Sequence, residues 1–274
     1  MPHMNREKLN SIVYPTPNLQ CPPHGYRTHV LSASPLVLYL EDFLSPTEVH
    51  ELVQLSNPSY QPSTLFTSSR ESHDPTIRLS EKSLLPRSNT VRCIEARALA
   101  LQGWPQDTFI ERLWTQRYNV SGHYKLHYDW GAASPKARRA SSFMVYLSGG
   151  RDEGEAGEEK LEGEEASQER REWCDFISCP ASSSSSSSSA SASDSNDGVT
   201  FLPMAGNAVF WQNFDAAGRG HKETLHAGLP VTKGQKIGLN IWSWYQAGHR
   251  APEEGPTTSL ALEQAVPTTE TEVP

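Results

Sequence analysis

Apolar positions recur along this chain with two different periods, and each predicts its own kind of element. In "SPTEVHELVQLS", Val49, Leu52, Val53 and Leu55 fall at helical spacing and predict one buried stripe. Ser45 stands where an N-cap is expected, Pro46 opens the first turn and Glu48 completes a capping box. The preceding "PLVLYLEDFLS" reads as a strand. A second helix is predicted over Asn89 to Gln102, where Val91, Ile94, Ala98 and Leu101 share a face. A Ser-, Pro- and Thr-rich stretch running to about Ser80 separates the two and reads as loop. From "TFIERLWTQRYNV" onward the period shortens. "SSFMVYLS", "GVTFLPMAGNAVFWQNF" and "GQKIGLNIWSWYQ" are predicted strands with turn residues between them, the pattern of an antiparallel sandwich or barrel.

Composition explains what this pattern leaves out. With 274 residues the chain has room for one large domain or two small ones, yet only 36% of it is apolar. Residues 1–33 are proline-rich and polar and are expected to form an irregular arm. The strand series is interrupted over 149–197 by a Glu/Gly/Arg tract and an unbroken run of serines, Ser182 to Ser189, which cannot build a core. An insertion in one hairpin connection accounts for it, because loop length costs entropy only slowly. Residues 248–274 read as a disordered tail, and 34–247 as the folded domain.

The formal charge of −8 sits on these appendages: net −6 between Arg151 and Glu172 and net −4 from Gly248 onward, which leaves the rest near neutral. No basic face for nucleic acid is in view. The four cysteines, Cys21, Cys93, Cys174 and Cys179, form no C-x-x-C. Cys174 and Cys179 are close enough to bridge in an oxidising compartment, and free thiols fit equally well. Neither a leader-like apolar stretch near the start nor a run of about 18 apolar residues is seen. A soluble intracellular protein without membrane contact is the resulting expectation. Asn119-Val120-Ser121 is a glycosylation sequon that reads as unmodified in that setting.

Chemistry concentrates in "GHYKLHYDWG". If this is a strand, His127 and Asp129 project to one face and Leu126, Tyr128 and Trp130 to the other. An H-x-D alone is equally a polar strand. A third ligand is needed, and His226 in "KETLHAGLPV" supplies it from a separate strand, 97 residues after Asp129. Two neutral imidazoles and one carboxylate leave coordination positions open and suit Fe(II) that must also bind a bidentate cosubstrate and dioxygen. Structural zinc would want a closed tetrahedral shell. Lys236, ten residues after His226, lies in an otherwise apolar strand. There it is either a snorkelling surface lysine or a buried cation that wants an anion.

"RYNVSGHYKLHYDW", "SSFMVYLS", "DGVTFLP", "GNAVFWQN", "LHAGLPVTKGQK" and "NIWSW" occur in that order. Together with "PLVLYLEDFLSPTEVHELVQLS", this series resembles the prolyl 4-hydroxylase type of Fe(II)/2-oxoglutarate-dependent dioxygenase. The resemblance runs from about Ser34 to Tyr245, less the insertion. It implies a mainly β fold, a double-stranded β-helix or jelly roll, with supporting α-helices. It implies His127, Asp129 and His226 as iron ligands and Tyr118, Lys236 and Thr200 as 2-oxoglutarate contacts. It also implies Arg139 and Trp242 near a substrate groove. His123 and His221 match no ligand position.

The implied reaction consumes 2-oxoglutarate and O2, releases succinate and CO2, and hydroxylates a prolyl residue of a peptide or protein. Ascorbate is a further candidate cofactor. Two departures bear on the substrate. The usual Gly-Gly-Glu-Thr is here Asp197-Gly198-Val199-Thr200, and the loop between Asp129 and Arg139 is short. A small-molecule substrate for the same chemistry, or a catalytically silent binding module, are the alternatives. The complete triad with Lys236 argues against silence.

Overall fold

The computed structural model describes residues 6–67, 70–131, 133–149, 174–178 and 198–251. The arm opens with α1 (Arg6–Ser11) and β1 (Ile12–Val13), followed by β2 (Arg27–Ala33) and β3 (Leu36–Glu41). Helix α2 (Pro46–Ser56) leads into β4 (Gln61–Pro62), β5 (Leu65–Thr67), β6 (Arg70–Ser72), β7 (Arg78–Leu79) and β8 (Glu81–Leu84). After α3 (Asn89–Leu101) come β9 (Thr108–Glu111), β10 (Trp114–Tyr118), β11 (His123–His127) and β12 (Ala137–Tyr146). Strands β13 (Ala208–Gln212), β14 (His226–Gly228) and β15 (Lys236–Gln246) complete the series. The acidic tract, the serine run and the C-terminal tail lie outside the described residues.

Both helices form where the periodicity places them. Ser45 Oγ accepts the N–H of Glu48 at 3.3 Å, and Glu48 Oε2 accepts the N–H of Ser45 at 2.8 Å. The same carboxylate receives two bonds from Arg97 of α3, at 2.7 and 3.0 Å, so the residue that caps α2 also ties the helices together. The stretch read as loop up to Ser80 holds four short strands, β4 to β7, too brief to show a period in sequence. The disulfide Cys21–Cys93, with Cα atoms 5.6 Å apart, fastens the N-terminal arm to α3, and Cys174 is also disulfide-bonded.

The jelly roll is not what the strands build. The large antiparallel sheet runs β2-β3-β13-β12-β15-β10-β8-β4, with β9 pairing β15 and β1 pairing β9. No pairing among the described residues joins its outer strands, so it is an open sheet in a mixed α/β fold and not a closed barrel. Its far edge is the two-residue β4, and Pro62 there has no N–H to offer a further strand. A separate three-stranded sheet has the order β14-β11-β7.

Alternation gives the large sheet two different faces. Phe143 and Val145 of β12 and Leu239 and Ile241 of β15 point to the face where the main core gathers with Leu52 of α2 and Ile94 and Ala98 of α3. The intervening residues line the opposite face. Register sets Ser142 opposite both Trp242 and Trp211, and Tyr118 opposite Lys236. A smaller cluster of Tyr39, Tyr146 and Val209 covers part of this face, together with Phe176 from within the insertion and Phe201 just after it. Phe143 is 1% exposed, with its ring 4.8 Å from that of Phe210. Phe143→Ala should therefore destabilise the fold by about 3–5 kcal/mol in chemical denaturation. A loss below about 1 kcal/mol would show that this layer is not the core.

Candidate metal centre

The large sheet offers its polar face, and the small sheet brings the imidazoles to it. His127 ends β11 directly opposite His226, which begins β14. Strand β11 stops at His127, so Asp129 is delivered by the turn that follows and not by strand alternation. The three side chains nevertheless converge, with one candidate ligand atom from each within 4.8 Å of the others. Asp129 Oδ1 is 4.0 Å from His127 Nε2, and Oδ2 is 3.9 Å from His226 Nε2.

Each ligand is oriented from behind. His127 Nδ1 lies 2.9 Å from the carbonyl of Lys125, and His226 Nδ1 lies 2.9 Å from that of Thr224. A carbonyl only accepts, so both rings carry their proton on Nδ1 and present the Nε2 lone pair to the centre. Asp129 Oδ2 accepts from Ser142 Oγ at 2.7 Å and from Trp242 Nε1 at 3.0 Å. Asn213 Nδ2 donates to that serine oxygen at 3.1 Å. Oδ1 takes neither bond and stays available. Tyr124 stacks on His127 with ring centroids 3.7 Å apart, and Trp211 meets His226 edge-on at 4.9 Å. Neutral imidazole twice and carboxylate once, with no fourth ligand in the cluster among the described residues, fits Fe(II) in an open facial site.

The match to a known family covers this region. Residues 113–244 match the 2OG-Fe(II) oxygenase superfamily. Over those residues the chain matches a 2OG-Fe(II) oxygenase catalytic domain. The matched segment carries the His127–Asp129–His226 facial triad, an arrangement consistent with dioxygenase activity. Prolyl 4-hydroxylase subunit alpha-3 of Rattus norvegicus is 27% identical over 228 residues, which cover 79% of this chain and 35% of that protein. The chain thus spans about a third of the length of that mammalian relative. Prolyl 4-hydroxylase 13 of Arabidopsis thaliana is 24% identical over 221 residues, 78% of this chain and 73% of that protein. The viral collagen prolyl hydroxylase of Paramecium Bursaria Chlorella virus-1 superposes with a TM-score of 0.47 at 20% identity, over 76% of this chain and 95% of that one.

The oxygenase domain places the other expected residues unevenly. Tyr118 and Lys236 are cross-strand partners, with the ammonium 5.3 Å from the tyrosine ring and 5.9 Å from the ring of Tyr146. Tyr118 is 3% exposed and its hydroxyl donates to Gln116 Oε1 at 2.9 Å. Burial pulls the lysine below its ordinary value, and no ion pair among the described residues answers it. Trp242 and Arg139 reach the triad, the guanidinium lying 3.7 Å over the indole and 3.9 Å from Asp129 Oδ1. Thr200 is exposed, its carbonyl accepting the N–H of Ser178, and no hydrogen bond among the described residues ties it to the cluster. His123 and His221 are outside the triad.

Arg139 arrives through a bulge. The register between β12 and β15 skips at Ala140, so Arg139 shares a face with Ser142, whereas strict alternation would oppose them. Sequence reading missed Ser142, Tyr124, Trp211 and Arg78. The Arg78 guanidinium lies 4.6 Å over the ring of Tyr124. Of these only Tyr124 carried a signal, as an aromatic within the H-x-D stretch. Burial pushes the Asp129 carboxyl up, but His226, Arg139 and the Ser142 hydrogen bond outweigh it and hold it below the ordinary range.

Burial, followed by the neighbouring His226, lowers His127 from 6.5 to about 4. Its imidazole is therefore ready for a metal at neutral pH without a competing proton. The unfolded chain takes up this proton near 6.5 and the fold only near 4, so the metal-free fold loses stability as pH falls across that window. An NMR titration of the metal-free protein should show the His127 ring neutral until about pH 4. A midpoint near 6.5 would contradict the burial.

Proposed function

We propose that the chain hydroxylates a prolyl residue in a peptide or protein, with 2-oxoglutarate as cosubstrate. The observation that carries the cosubstrate assignment is Lys236: a half-buried ammonium without a carboxylate partner among the described residues, in register with Tyr118 on the face that meets the triad. A partly desolvated cation of this kind calls for an anion from outside. In this reading His127, Asp129 and His226 would hold Fe(II), which would supply the oxidising chemistry together with 2-oxoglutarate. Iron and 2-oxoglutarate supply the oxidation when bound: one oxygen atom of O2 enters a substrate C–H bond and the other leaves in succinate, with loss of CO2.

The protein's own residues bind and orient. Lys236 pairs with the far carboxylate of 2-oxoglutarate, and the Tyr118 hydroxyl turns from Gln116 to donate to it. Thr200 joins this set by resemblance alone, being exposed and without a hydrogen bond to the cluster among the described residues. Trp242 and Arg139 form a flat aromatic and cationic wall beside Asp129, suited to a prolyl ring and its flanking carbonyls. The likeness to prolyl 4-hydroxylases of animals and plants favours the prolyl substrate. The Cys21–Cys93 disulfide favours an oxidising compartment over a reducing one. No helix among the described residues is long and apolar enough to cross a membrane.

Succinate release, measured with Fe(II), ascorbate and 2-oxoglutarate, with and without poly-L-proline, tests the reading. Peptide should stimulate turnover, and His226→Ala should abolish it. Lys236→Ala should raise the KM for 2-oxoglutarate by about 10- to 100-fold, the loss of one charge-assisted contact. Turnover that no proline-rich peptide stimulates would move the substrate to a small molecule. An unchanged KM in Lys236→Ala would remove the lysine from the site.

A further inference from the structure

Glu111, the last residue of β9, is 5% exposed, and an unpartnered carboxylate there would be costly. Two cations meet it. Arg139 donates through Nε to Oε1 at 2.8 Å and through Nη2 to Oε2 at 3.2 Å. Lys8 of α1 forms an ion pair with the same Oε2, and its ammonium lies 4.4 Å from the ring of Trp244. With two of its nitrogens committed to Glu111, Arg139 has Nη1 left, and that nitrogen lies 3.9 Å from Asp129 Oδ1.

The arm delivers Lys8 by register. Strand β1 pairs with β9 so that Ile12 is opposite Glu111 and Val13 opposite Ile110. The N–H of Arg112 donates to the carbonyl of Ser11 at 2.7 Å, and Ser11 Oγ donates back to the carbonyl of Lys8 at 2.7 Å. Ile12 and Val13 are both buried, so this six-residue helix is anchored at its C-terminal end directly beside the carboxylate. The result is a line of charges of alternating sign, Lys8, Glu111, Arg139 and Asp129, that ends on the triad. If Arg139 alone neutralised Glu111, the two would close into a pair with no net pull elsewhere. A second cation on Glu111 leaves the guanidinium shared between both carboxylates.

We propose that Lys8 is a positioning residue: by sharing Glu111 it keeps Arg139 flat on Trp242 with Nη1 turned to Asp129, so the N-terminal arm is a working part of the substrate groove. The consequence for substrate rests on the oxygenase reading above, whereas the positioning itself is readable in the metal-free protein. In 15N-labelled full-length protein, the Arg139 Nε–H should give a resonance protected from solvent exchange, identified by its loss in Arg139→Lys. Lys8→Met should speed that exchange at least about tenfold, and Lys8→Arg should bring it back to within about threefold of the starting rate. In a Glu111→Gln background, Lys8→Met should add less than about twofold, since coupled residues are not additive.

Other arginine Nε–H resonances are the internal reference, because general loosening would move them together. An unchanged Arg139 resonance in Lys8→Met would overturn the proposal. So would an equal effect in both backgrounds, which would assign Lys8 to packing on Trp244. In the turnover assay, Lys8→Met should raise the KM for poly-L-proline about fivefold and that for 2-oxoglutarate less than twofold. Absence of 2-oxoglutarate turnover in the unsubstituted protein would sink the oxygenase reading and leave the exchange measurement to decide the role of Lys8.

Discussion

A carboxylate in a nearly water-free place must be answered, and the way Asp129 is answered organises this molecule. It is supplied by a turn of the small sheet, yet its hydrogen bonds come from Ser142 and Trp242 on two central strands of the large one. Arg139 stands against it from the same face. Desolvation opposes the ionised form, and the surrounding donors and cations more than compensate, so the charge is held where it is needed. One oxygen is saturated by hydrogen bonds and the other is left for a ligand. The two sheets are thus joined at the point where chemistry is expected, and the histidines need only their backbone hydrogen bonds to complete the triad.

Register does the rest. Because β12, β13, β10 and β15 are neighbours around β12 and β15, residues scattered from 118 to 242 come to one face. Tyr118 and Lys236, more than a hundred positions apart, are direct partners. The opposite face of the same strands carries the apolar core against α2 and α3. One alternation therefore builds the core and the site together, and a one-residue slip would exchange them.

Much of this could be read in the sequence, and the omissions have physical causes. The capping box at Ser45 and Glu48 and the stripes of both helices are local, so they were visible. The triad was visible because its residue types are rare together and its spacing is specific. Resemblance had singled out Arg139, but the bulge that turns it towards Asp129 leaves no trace in an alternating pattern. Nor does the arm advertise Lys8, whose partner is about a hundred residues away and whose helix is only six residues long. Four unpatterned cysteines could not announce Cys21–Cys93. The expectation of a closed jelly roll failed because closure depends on which strands end as edges, and short edges such as β4 carry almost no periodic signal.

The central claim is that one face gathers a facial triad for iron and a half-buried lysine for the far end of 2-oxoglutarate. Anaerobic titration measures it most directly: Fe(II) is added to the metal-free protein, then 2-oxoglutarate, with the charge-transfer absorption of the chelate as readout. The account predicts saturable 2-oxoglutarate binding that requires the metal, with one equivalent of each per chain. Metal-independent binding of 2-oxoglutarate, or an iron-loaded protein that does not bind it, would contradict it.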